Sequence, residues 1–153
     1  MDNRFWGQGL FKGIRPAACL ARSDLSREEL LDAALKLSGG SNFVLLMKNS
    51  RGLQDRLLPA FMNAYLRHAE GNMRASSLQK EVLLFAAGTM NIGKAISNRG
   101  IVDPREFVAF ASGRALLDTF IRLSHSRITK QYKLSVKWDS AREAAMAGLV
   151  GDA

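Results

Sequence analysis

Gly88-Thr-Met-Asn-Ile-Gly93-Lys94 has the GxxxxGK spacing of a phosphate-cradling loop, with an apolar run before it and a helix pattern after it. That chemistry needs a Ser or Thr hydroxyl on magnesium next, and position 95 is Ala. The loop residues are Thr, Met, Asn and Ile, not glycines that let a backbone wrap phosphate. No apolar strand ending in Asp offers a second magnesium ligand. A turn glycine, a helix start and a surface lysine explain the same letters. The other reactive types are sparse. His68 lies on the apolar side of one helix pattern and His125 at the end of another, neither with a partner at ligand spacing. HExxH, GxSxG and HxE…PCxxC are absent. Cys19 stands alone in an apolar stretch and reads as a buried thiol. Asp24/Glu28 and Glu29/Asp32 are solvated carboxylates of one helix, not an acid–base pair. The residues therefore point to binding rather than catalysis, with no cofactor and no metal.

The elements around these residues follow from periodicity. Ser26-Arg-Glu-Glu29 is a capping box, and Leu30, Leu31, Ala34 and Leu35 share a face of the helix it opens; Gly39-Gly40 stops it. Phe43–Met47 is a buried strand. Leu53, Leu57, Leu58, Phe61, Ala64, Tyr65 and His68 recur at helical spacing, with Pro59 inside to kink or divide the helix and Gly71-Asn72 to end it. Ser76-x-x-Gln79 caps a run, Val82–Ala87, whose alanines favour helix over strand. Asn91 starts a short helix with Ile92, Ala95 and Ile96 on one face, and Gly100 is its left-handed stop. Glu106–Ala111 is a strand, and Leu116, Leu117, Phe120, Ile121 and Ser124 form a second helical stripe. Gly9–Ala17 reads as a strand near a sheet edge closed by Pro16, and Gln131–Val136 as another. Ser140-x-x-Glu143 caps a last small helix through Leu149. The expected fold is α+β: one small mixed, largely antiparallel sheet flanked by helices, a single domain over 1–153.

The 153 residues carry 22 Lys/Arg against 14 Asp/Glu, a formal charge of +8, and are 47% hydrophobic. The hydrophobic share excludes a disordered tail protein, and the lone cysteine excludes an internal disulfide or a cysteine-built zinc site. The longest apolar run is too short to span a bilayer, and the first residues, MDNRFWGQGLFKG, have no apolar signal core. A cytoplasmic protein is expected. Residues 51–100 hold seven basic against three acidic residues, the most cationic third, and the charges are single and spaced. An anion site would be a folded surface patch, and nucleic acid is the commonest partner for one.

Residues 81–101, E-V-L-L-F-A-A-G-T-M-N-I-G-K-A-I-S-N-R-G-I, resemble the signature of the PRPK-binding, CGI-type kinase-binding subunits of the KEOPS complex. In that pattern a Glu leads aliphatics and an aromatic, then a short loop, (N/Q)-I-x-x-A-(I/L), and G-I. Glu81, Leu84, Phe85, Asn91, Ile92, Ala95, Ile96, Gly100 and Ile101 match. Ile128-Thr129 and Tyr132-Lys133-Leu134-Ser135, with a closing helix, resemble the family's C-terminal end. Arg99 stands where an aromatic is common, and the final helix is alanine-rich. The resemblance implies a non-catalytic accessory subunit of the machinery that makes threonylcarbamoyladenosine in tRNA. Its partners would be the atypical small kinase/ATPase of the complex, the tRNA 3′ CCA end and, indirectly, the threonylcarbamoyl transferase subunit. Lys48, Arg51, Arg67, Arg74, Lys80 and Lys94 flank the signature and are the tRNA-binding candidates. Met90 and Leu149 are the kinase-binding candidates, with Ile92 and Ile96 expected in the core. A small nucleotide-binding enzyme using Gly88–Lys94, or a generic basic RNA-binding domain, are the alternatives.

Overall fold

The structure, a computed structural model, describes residues 14–134. In chain order the elements are β1 (Ala17–Arg22), α1 (Arg27–Leu37), β2 (Val44–Lys48), α2 (Leu53–Glu70), α3 (Leu78–Ala87), α4 (Ile92–Arg99), β3 (Phe107–Ala111), α5 (Arg114–Leu123) and β4 (Arg127–Tyr132). The four described strands form one sheet in the order β2-β3-β1-β4, every neighbouring pair antiparallel. The expected α+β fold, with its largely antiparallel sheet, is therefore found, and the described strands are antiparallel throughout.

Strand alternation divides the core into two. Leu45, Met47, Val108 and Phe110 face α2 and α3, whose Leu57, Phe61 and Val82 are fully buried. Val44, Leu46, Phe107 and Ala109 face α1 and α5, against Leu30, Leu117 and Phe120. The result is three layers: α1 and α5, the sheet, then α2, α3 and α4. Phe43 meets Phe61 and Phe110 at ring separations of 6.0 and 5.4 Å, locking the strand start to α2.

Local signals place the helix ends. Ser26 and Glu29 form the reciprocal capping box. Leu30 and Ala34 of the expected stripe are buried, while Leu35 is 63% exposed. The helix ends at Ser38, one residue before the glycines, because the Ser38 hydroxyl donates to the Ala34 carbonyl and accepts from the Val44 amide. α2 is a single helix of 18 residues, not divided at Pro59. The proline removes one amide, and Asn63 Nδ2 donates to the Pro59 carbonyl one turn on. Val82–Ala87 is helical as expected, but its cap is Ser77, not Ser76.

Three expectations are corrected. Of the expected strand Gly9–Ala17, the part before Ile14 lies outside the described residues and Ile14–Pro16 is not strand; the first described strand runs over Ala17–Arg22, with Pro16 before it, and is central rather than at an edge. Burial on both faces erased the alternation that marks a strand. The last described strand is Arg127–Tyr132, which takes in only Gln131 and Tyr132 of the expected Gln131–Val136, because the turn at Ser124–Ser126 fixes where the chain can rejoin β1; Lys133 and Leu134 are not strand, and 135–136 lie outside the described residues. Gly100 is extended, with φ −63°, and is not a left-handed stop. A Cβ there would lie 2.6 Å from the Ile96 carbonyl oxygen, so the glycine is required for space. The expected helix through Leu149 lies outside the described residues.

Candidate nucleic-acid interface

Gly100 also bridges Met47 in antiparallel register on the outer edge of β2. That bridge sets Lys48, the last residue of β2, opposite Arg99, the last of α4. Arg56, in the first turns of α2, donates from Nη1 to the Ala86 carbonyl at 3.4 Å, beside the left-handed Gly88 that ends α3. A cation at a helix C-terminus is favourably placed for the orphan carbonyls there. Burial and the neighbouring Arg56 cation both push the Arg99 guanidinium below its ordinary value. Arg51 sits in the exposed turn joining β2 to α2. Lys48, Arg51, Arg56 and Arg99 thus come from four segments to one corner of the molecule. None of them forms an ion pair with a described residue. A group of guanidiniums and an ammonium without an ion pair among the described residues raises the local potential and suits a polyanion.

Arg67, Arg74 and Lys80 form a second group at the α2–α3 junction, and Lys94 stands apart on α4. Glu81 is fully buried, and its carboxylate accepts from the amides of Arg74, at 2.8 Å to Oε2, and Ala75, at 3.1 Å. Glu81 is therefore a loop anchor that fixes the backbone at the exposed Arg74. Lys80 Nζ is 3.3 Å from Ser76 Oγ and exposed. Arg67 is half-buried, with its guanidinium 5.6 Å from the centre of the Phe85 ring, so it packs on α3 as well as carrying charge. Lys94 is exposed in the first turn of α4.

The six candidates therefore do not form one patch. Lys48 and Arg51 belong to the corner group, and Arg67, Arg74 and Lys80 to the junction. Arg56 and Arg99 belong to the corner and were not chosen from the sequence. Arg99 carried a signal, as a charge in place of an aromatic next to Gly100, whereas Arg56 carried none.

The apolar candidates also divide. Met90 is 58% exposed in the α3–α4 turn, and Leu149 lies outside the described residues. Ala95 is fully buried and Ile92 partly, but Ile96 is 46% exposed and is not a core residue.

Gly88–Lys94 lacks the strand–loop–helix setting of a phosphate loop. A helix precedes it, Gly88 ends that helix, and Asn91 Oδ1 accepts the Lys94 amide at 3.1 Å. The amide that a phosphate would use is capped, and Ala95 is packed inside. Among the described residues no helix is long and apolar enough to cross a membrane, and no group of three His, Cys, Asp or Glu could hold a metal.

Fold and site together define a small three-layer α+β domain with a cationic corner and an exposed apolar turn. No family model and no curated protein matches the chain.

Proposed function

We propose that the protein is a non-catalytic accessory subunit of the KEOPS type: a cytoplasmic module that binds the atypical kinase/ATPase and recruits tRNA through its 3′ CCA end. The observation that carries this reading is the corner of Lys48, Arg51, Arg56 and Arg99. It is assembled around Gly100, the same residue on which the signature-like segment closes. The capped Lys94 amide and the buried Ala95 weigh against the nucleotide-hydrolysing alternative. Exposed Met90 and Ile96, on and next to α4, supply an apolar surface that suits a protein partner.

The test is tRNA binding as a function of salt. Affinity should fall steeply as salt rises, because each phosphate contact releases counterion. Replacing Lys48, Arg56 and Arg99 together by Glu should weaken binding at least tenfold and flatten the log–log salt slope by about 2–3. A tRNA trimmed of CCA should bind the wild type much more weakly, and the atypical kinase should co-purify with it. Equal binding of intact and trimmed tRNA, with no kinase recovered, would leave a generic basic RNA-binding domain.

A further inference from the structure

A concave site lies at the opposite end of β2 from the cationic corner. A cavity of about 400 Å³ opens between the segment before β1, the turn before β2 and the start of α5. Arg15 and Arg114 line it, and among the described residues no carboxylate does. The rings of Phe61 and Tyr65, 5.4 Å apart, make one wall, with Tyr65 half-buried. The Ser41 hydroxyl is at the rim. Gly113, the N-cap of α5, has no side chain to accept the first-turn amides of that ten-residue helix, and no acidic residue lies in that turn. Arg114 Nη1 donates to Gln131 Oε1 at 2.8 Å, which steadies its guanidinium. The size is that of a small-molecule site. Two cations and open amides select an anion, and an aromatic wall selects a planar ring.

We propose that this cavity holds one nucleoside monophosphate unit, its phosphate between Arg15, Arg114 and the α5 amides, its base against Tyr65. Two sources share that chemistry: a free nucleotide and the terminal nucleotide of an RNA strand. The inference stands on the cavity's own residues and does not depend on the KEOPS reading. α2 joins the cavity to the cationic corner, since Tyr65 and Arg56 both lie on it, so a strand crossing the corner can end here.

Gly113→Asp is the discriminating variant. A Cβ at Gly113 meets nothing within 4 Å, and its extended backbone suits an Asp N-cap. The new carboxylate takes up the amides and repels phosphate, so the melting temperature should hold or rise while binding is lost. Titrating the full chain with adenosine monophosphate and with the trinucleotide CCA should show binding that falls at least tenfold in Gly113→Asp and in the Arg15→Ala/Arg114→Ala double variant. Tighter binding of CCA than of the mononucleotide assigns the cavity to a strand end; equal binding assigns it to the free nucleotide. No binding of either probe by the wild type, or binding unchanged in both cavity variants, overturns the proposal. Binding here with no kinase recovered and no preference for intact tRNA would sink the KEOPS reading while leaving the cavity assignment intact.

Discussion

Cys19 lies on a central strand with none of its surface exposed, and burial pushes its thiol from 9.0 up to about 11, partly opposed by Arg114. In the unfolded chain the thiol ionises first. Between those values the unfolded state therefore binds fewer protons, and stability falls as pH rises. The contribution is complete below pH 9 and is lost as pH climbs through 11. Urea titrations of wild type and Cys19→Ala at pH 8.5 and pH 11 should show the stability difference between them shrink by about 2 kcal/mol. A difference independent of pH would mean that the thiol ionises equally well inside the fold. The single cysteine was legible as a buried, unreactive group because five of its neighbours in sequence are small or apolar. Glu81 was not legible in the same way. A carboxylate among aliphatics reads as a surface residue of an amphipathic helix until its two backbone donors, Arg74 and Ala75, are placed around it.

At the scale of elements, Gly100 joins α4 to the edge of β2. Gly100→Ala would drive a methyl against the Ile96 carbonyl, a backbone atom that cannot rotate away. The substitution should cost about 2 kcal/mol, read as a lowered urea midpoint. It should also weaken tRNA binding, because the Met47 bridge is what sets Lys48 beside Arg99. A full-strength tRNA complex from a destabilised Gly100→Ala protein would separate the corner from the function. Elements with local signals were readable: the Ser26–Glu29 box, the Asn91 cap and the glycine that ends α2 all lie within a few residues of what they satisfy. Strand limits were not, because β1 is defined by partners that arrive late in the chain and by burial on both faces. The site shows the same division. Lys48 and Arg51 stand out beside a strand end, whereas Arg56 and Arg99 join them only through a contact between distant segments.

For the whole molecule, the apolar turn at Met90 and the cationic corner lie at the two ends of α4 and serve different partners in the proposed role. Met90→Arg should leave the melting temperature within a degree or two, since the side chain is already 58% exposed, and should abolish co-purification with the kinase. tRNA binding by the isolated protein should be unchanged. Retained kinase binding would move the interface away from this turn, to residues outside the described part of the chain.

The strand order β2-β3-β1-β4 carries a consequence for how the chain is made. Of the described strands β1 leaves the ribosome first, yet both of its neighbours in the sheet, β3 and β4, are the last two made. Thr129 donates to the Leu20 carbonyl across 109 positions, and Ser23 to the Ser124 carbonyl across 101. Until those residues emerge, β1 is an apolar segment with two open edges, and α1 has only part of its layer to pack against. The sheet therefore closes in one late step rather than growing as the chain lengthens. Such long loops make folding slow relative to the domain's size and expose the nascent chain to aggregation, giving a holding chaperone a window in which to act.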